Sequence, residues 1–342
     1  MPEALKSHPI QNKKRYTSLP VAIMGLYLSY YFEHQNKGGV AMRMENSGVL
    51  WAVGSYLIWG IMPIYWKSLE QVASAEILVS RIVWAFIMTL VVVLLMKGGR
   101  HLKKDLQTLW GSQRDFWLLF FASALISGNW FIYIWAVNHG YIVQTSLGYY
   151  MNPLISVLLG IFFLKEKLSR AQQVAFLLAT TGVVILTVSY GHFPWLSFSL
   201  AATFAVYGLI KKKIQLDALR GLTIETFFIV PFALIYYIWL FVDGRAALFH
   251  VDVKTDILLI LTGAATALPL VMYAKGVQKI PLYVAGFLQY IAPTMMLFIG
   301  VVLYKETFGE IELLSFSFIW LALLLFTVSK VLEVVKIKKS HP

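Results

Sequence analysis

Cysteine is absent from this 342-residue chain, which excludes disulfides, thiolate nucleophiles and Cys-based metal sites. Charge is scarce too: Asp, Glu, Lys and Arg make up 13%, about half of the roughly 25% found in soluble domains. With 59% hydrophobic residues and a mean hydropathy of +0.70, a water-soluble fold would expose large apolar patches and aggregate. The composition predicts a polytopic membrane protein embedded in a lipid bilayer.

The motifs of common enzymes are missing as well. The seven histidines (His8, His34, His101, His139, His192, His250 and His341) fall in termini or near loops, and none has HExxH or other metal-ligand spacing. No Walker A sequence occurs. Predicted helix interiors hold one clear acid, Glu225, which cannot form a carboxylate dyad alone. No ring of charges or filter-like Gly/Thr run suggests an ion channel. The expectation is a protein that is not an enzyme and carries no cofactor or metal.

A helix needs about 20 apolar residues to cross the hydrocarbon core. Ten segments qualify, near 47–66, 75–96, 116–137, 142–164, 172–190, 195–210, 222–242, 256–274, 281–304 and 311–332. The net charge of +12 sits between these segments. With the N-terminus inside, 24 of the 29 Lys and Arg fall on the cytoplasmic side. Only Lys67, Arg245, Lys254 and Lys305 lie outside, and Arg81 lies within a span. That asymmetry is the positive-inside pattern, so the basic character reports orientation and not a nucleic-acid partner. The expected location is the bacterial cytoplasmic membrane, with both termini cytoplasmic.

The most informative feature is internal. "YYMNPLISVLLGIFFLKE" at 149–166 and "QYIAPTMMLFIGVVLYKE" at 289–306 share five identities at one offset: Tyr150/Tyr290, Pro153/Pro293, Gly160/Gly300, Lys165/Lys305 and Glu166/Glu306. The copies lie five spans apart. Five is odd, so the halves enter the membrane in opposite senses. The expected fold is all-α: ten transmembrane helices as two inverted five-helix repeats, an architecture that places a transporter's site between its halves. The repeats are expected at 45–190 and 191–335, followed by a basic cytoplasmic tail at 336–342. Residues 1–44 do not fit this scheme. The stretch "KGGVAM" at 37–42 is what a purine-rich ribosome-binding site would encode in frame, so the native start is expected at Met42 or Met44.

Pro153 and Pro293 each free a backbone carbonyl inside a span, which lipid tolerates only beside protein or a water-lined cavity. Polar groups flank both prolines: Tyr150 with Asn152, and Gln289 with Tyr290. These two kinks are candidate substrate-facing points; the alternative is that they only shape helix packing. Arg81 lies about 9 Å into its helix at 1.5 Å per residue, a costly depth for a charge. Its counterpart at an offset of 144 is Glu225. The two charges could hold the ends of a zwitterion or form a gating pair; alternatively both snorkel to opposite interfaces. Trp59-Gly60 and Tyr207-Gly208 form a weaker correspondence. Glu225 is also the one intramembrane candidate for proton coupling.

"TSLGYYMNPLISVLLGIFFLKEKL" at 145–168 and "GFLQYIAPTMMLFIGVVLYKETF" at 286–308 resemble the paired EamA modules of the drug/metabolite transporter superfamily. "SRIVWAF", "DALRGLTIET" and "LLSFSFIWLALLLFT" resemble its RarD branch, the chloramphenicol-sensitive permeases, over about 45–335. The resemblance implies a ten-helix bundle with a central cavity lined by helices 1, 3, 4, 6, 8 and 9. It makes cavity candidates of Trp59, Asn129, Trp130, Tyr133, Tyr150, Asn152, Tyr207, Tyr273, Gln289 and Tyr290. The reading is a secondary permease working by alternating access on a small amphipathic metabolite or drug. A channel-like facilitator or a non-transporting membrane subunit is the alternative, and a homodimer is an arrangement the sequence allows.

Overall fold

The computed structural model describes residues 40–138, 142–189, 191, 193–214, 216–304 and 309–340. The expectation for the N-terminal stretch, the Lys305-Glu306 pair and His139 lie wholly or largely outside these residues. Within them every regular element is a helix: α1 Val40–Lys67, α2 Ser74–Leu95, α3 Gly99–Gly111, α4 Gln113–Asn138, α5 Ile142–Leu164 and α6 Arg170–Ser189. Then follow α7 Trp195–Lys213, α8 Ala218–Val242, α9 Val253–Val277, α10 Leu282–Gln289, α11 Ile291–Val302 and α12 Glu310–Ser340.

Among the described residues, nine helical segments are long and apolar enough to cross a membrane, α10 and α11 together making one of them. The tenth expected span, α7, falls outside that set. It has 19 residues and carries Lys211, Lys212 and Lys213 in its last turn. The spans present apolar side chains outward, among them Phe162, Val188, Phe232 and Val242. In lipid that outward face is already solvated, so helix association depends on close packing of small residues. Gly263 on α9 shows how close: a Cβ there would sit 2.4 Å from the carbonyl carbon of Trp84 on α2. Gly182 on α6 likewise meets the Ser315 carbonyl of α12, where a Cβ would lie 2.6 Å away.

Chain direction follows from the contacts between helices. Glu166, just past the end of α5, meets the start of α10. Gly286 packs on Pro153 and Val157, and Tyr150 donates to the Pro293 carbonyl at 3.2 Å. Residue numbers rise on one helix as they fall on the other, so α5 runs antiparallel to α10–α11. The same holds for α6 and α12, through Ser169 with Ser329 and Gly182 with Ser315. It holds again for α2 and α8, through Ser80 with Tyr237 and Phe86 with Phe227.

Two local features depart from uniform helices. Pro293 has no N–H, so the Gln289 carbonyl loses its helical donor and the span breaks at Tyr290 into α10 and α11. Pro153 deprives Tyr149 in the same way, yet α5 continues through it. The amphipathic α3 is too short and too charged to span. It packs on the bundle through Leu109 and an Asp105–Arg220 ion pair of 2.5 Å.

Candidate functional site

A cavity of about 210 Å³ lies inside the bundle. Its walls come from α1, α2, α4, α5, α7, α9, α10 and α11, with no described residue of α3, α6, α8 or α12 among the lining. The lining recurs every three or four residues along several helices, as in Tyr56, Trp59, Pro63 and Trp66 of α1 or Gln289, Ala292, Pro293 and Met296 of α10–α11. That is the stripe one helix face presents.

One wall is aromatic. Trp59 lies 5.7 Å from both Phe204 and Tyr273 by ring centroids, and 5.8 Å from Tyr56. Tyr56 is fixed by donating to the Ala285 carbonyl at 3.1 Å. Behind this wall, outside the lining, Tyr207 and Tyr273 stack at 6.2 Å with an interplanar angle of 15°. Gly208 makes room there, since a Cβ would meet the Tyr273 hydroxyl at 2.1 Å.

Neutral polar groups occupy the remainder. Asn129 donates through Nδ2 to the Leu200 carbonyl at 2.8 Å and to Thr203 at 2.9 Å, tying α4 to α7. Asn152 accepts from Ser156 at 3.2 Å. The Gln289 side chain lines the cavity, and its amide has no hydrogen-bond partner among the described residues. Tyr133 on α4 and Tyr149 on α5 both line the cavity and pair with each other, ring centroids 5.9 Å apart.

Among the described residues, Arg81 is the only lining residue with a formal charge. Its Nε donates to Thr266 at 3.0 Å. The guanidinium carbon lies 4.7 Å from the Trp66 ring centroid and 4.9 Å from that of Trp130. Among the described residues no carboxylate forms an ion pair with it.

Of the residues singled out from the sequence, the cavity thus gathers Trp59, Arg81, Asn129, Trp130, Tyr133, Asn152, Gln289 and Pro293. Tyr150 and Pro153 lie at the α5/α10–α11 contact, and Tyr290 is fully buried with its hydroxyl unpartnered. Tyr207 and Tyr273 stand one layer behind. Glu225 lies elsewhere, on α8, only 1% exposed, accepting from Lys211 at 2.6 Å and from Tyr207 at 3.2 Å. Lys211, counted above with the loop cations, is itself 3% exposed. Tyr149, Trp66 and Thr266 went unnoticed. Tyr149 carried a signal, because it forms an i, i+3 pair with Asn152, whereas its neighbour Tyr150 points to another face.

Glu166 was seen only as part of the repeat. Its carboxylate accepts from the backbone N–H groups of Leu282 at 2.7 Å and Tyr283 at 2.9 Å. These are unsatisfied donors at the positive end of α10, where a carboxylate is favoured. Glu76 does the same for a loop, accepting from Ala247 at 2.8 Å and Leu248 at 3.0 Å.

The model of the EamA-like transporter family matches residues 46–188. "Uncharacterized transporter YojE" of Bacillus subtilis is 46% identical over 297 residues, covering 86% of this chain and 98% of that protein. "Protein RarD" of Escherichia coli is 35% identical over 289 residues, covering 84% and 96% respectively. The chain belongs to the RarD branch of the EamA-like transporter family. A solved crystal structure adds the fold alone: it aligns with a TM-score of 0.64 at 15% identity, covering 83% of this chain and 98% of its own. This RarD-type protein is accordingly a multi-pass membrane transporter.

Proposed function

We propose that the protein is a secondary permease of the cytoplasmic membrane, moving a small amphipathic metabolite or drug by alternating access. The observation that carries the reading is the cavity, lined from both halves of the chain, with α5 running antiparallel to its counterpart α10–α11 at one wall. The repeat offset matches α1 with α7, α2 with α8, α4 with α9, α5 with α10–α11 and α6 with α12. Under this exchange, packing of α5 on α7 maps onto packing of α10–α11 on α1, and α4 on α7 onto α9 on α1. Such self-mapping supports ten spans in two inverted repeats, with α7 as the tenth, and a site at their junction. The positive-inside count supports cytoplasmic termini.

The cavity's aromatic rings and neutral amides suit a ligand held by stacking and a few hydrogen bonds. Proton coupling, if this permease uses it, would run through Glu225, whose partner Tyr207 touches the cavity wall at Phe204 with ring centroids 5.9 Å apart. The test of carrier action is solute counterflow in proteoliposomes. A carrier gives saturable uptake and counterflow; linear uptake without counterflow would assign a channel-like facilitator instead.

A further inference from the structure

Arg81 stands out once each buried charge is assigned a partner. Glu225 has Lys211, Glu76 and Glu166 have backbone amides, and Arg220 has Asp105. Arg81 has only the Thr266 hydroxyl and two tryptophan rings. A guanidinium offers five N–H donors. The four on its terminal nitrogens have no partner among the described residues, and the residue lines the cavity. A charge within a span is costly and normally serves a function. The tryptophan contacts favour the cation and restrain the guanidinium without using its hydrogen-bonding edge. That edge matches a carboxylate in a bidentate pair. The zwitterion considered above paired Arg81 with Glu225, which lies outside the cavity and is held by Lys211, and no described lining residue is acidic.

We propose that the cavity takes a small organic anion, with Arg81 binding its carboxylate and the surrounding rings of Trp59, Trp66, Trp130 and Phe204 favouring an aromatic body. This rests on the permease reading and names the substrate class. Gln289, with its free amide, and the Tyr133–Tyr149 pair supply the neutral contacts for the rest of the molecule.

The experiment uses full-length protein in nanodiscs and three probes of one shape: benzoate, benzamide and benzylamine. Binding is followed by thermal stabilisation and by titration. Benzoate is expected to bind the wild type at least about tenfold more tightly than either other probe, the range set by a charge-assisted hydrogen bond. Arg81→Gln should abolish that preference, and Arg81→Lys should leave it reduced, having the charge without the fork. Equal binding of benzamide or benzylamine, no saturable benzoate binding, or an Arg81→Gln protein that still prefers benzoate overturns the proposal. The three-probe comparison on wild type stands even if a variant fails to fold. Counterflow separates the two ideas. Arg81-dependent benzoate binding without counterflow supports the anion site and removes the permease reading. Counterflow of the neutral or cationic probe, unchanged in Arg81→Gln, supports the permease and removes the anion.

Discussion

Replacing Lys211 by methionine should destabilise this protein far more than a lysine at a helix end ordinarily would. The ammonium is 3% exposed and donates at 2.6 Å to a carboxylate that is 1% exposed. After Lys211→Met, Glu225 keeps one hydrogen bond, from Tyr207 at 3.2 Å, and its charge is otherwise uncompensated. Removing one partner of a buried pair costs about 3–5 kcal/mol. At a few degrees per kcal/mol, the melting temperature should fall on the order of 10 °C. Adding Glu225→Gln removes the stranded charge, so the double variant should recover about 2–3 kcal/mol of that loss. The assay is thermal unfolding of purified protein by intrinsic tryptophan fluorescence, with size-exclusion chromatography to confirm that each variant is folded beforehand. Lys213→Met, on the exposed side of the same turn, is the control. If Lys211→Met melts within a degree or two of Lys213→Met, or if the double variant is no more stable than the single, the reasoning fails.

Other outcomes follow from the same geometry. Gly263→Ala should cost about 1–3 kcal/mol because its Cβ meets the Trp84 backbone, whereas Gly128→Ala, with no atom within 4 Å, should be neutral or stabilising by up to about 1 kcal/mol. Denaturation midpoints compare them directly. Glu166→Gln should lower stability by about 1–3 kcal/mol, since the start of α10 loses a carboxylate acceptor, measured in the same way. Asp252 caps α9 by accepting from the Thr255 N–H at 2.8 Å, which holds its carboxyl below the usual 3.8. Its stabilising effect is therefore present above pH 4 and lost as pH falls through the lowered value. Asp252→Ala should melt below wild type at pH 7, with the gap closing in acid.

The helical framework was legible because lipid demands long apolar runs and charges collect between them. All ten expected segments are helical, and the break at Tyr290 follows from Pro293 four residues after Gln289. Two features were hidden. α3 is a charged helix that crosses nothing, so a search for spans passes over it. α7 was legible as a helix, but its three closing lysines read as loop cations, and Lys211 turns inward. Within the site, the repeated Tyr–Asn–Pro and Gln–Tyr–Pro neighbourhoods fall on helices that line the cavity, which takes Asn152, Gln289 and Pro293 from them. They did not give the rotation of each helix, because a span apolar on every side has no polar face to orient it. Tyr149 and Tyr150 differ by one residue, yet one faces the cavity and the other faces α11. The Lys211–Glu225 pair joins two helices across 14 residues, and no local periodicity announces such a contact.

Alternating access is the claim on which the functional account depends, and the natural absence of cysteine makes it directly measurable. Met62 lines the cavity. In a Met62→Cys protein reconstituted in one orientation, a membrane-impermeant thiol reagent should react when added from either side, in separate populations of molecules. Reaction from both sides with no accompanying leak of a small dye is the predicted result. Reaction from only one side under every condition tested would contradict it.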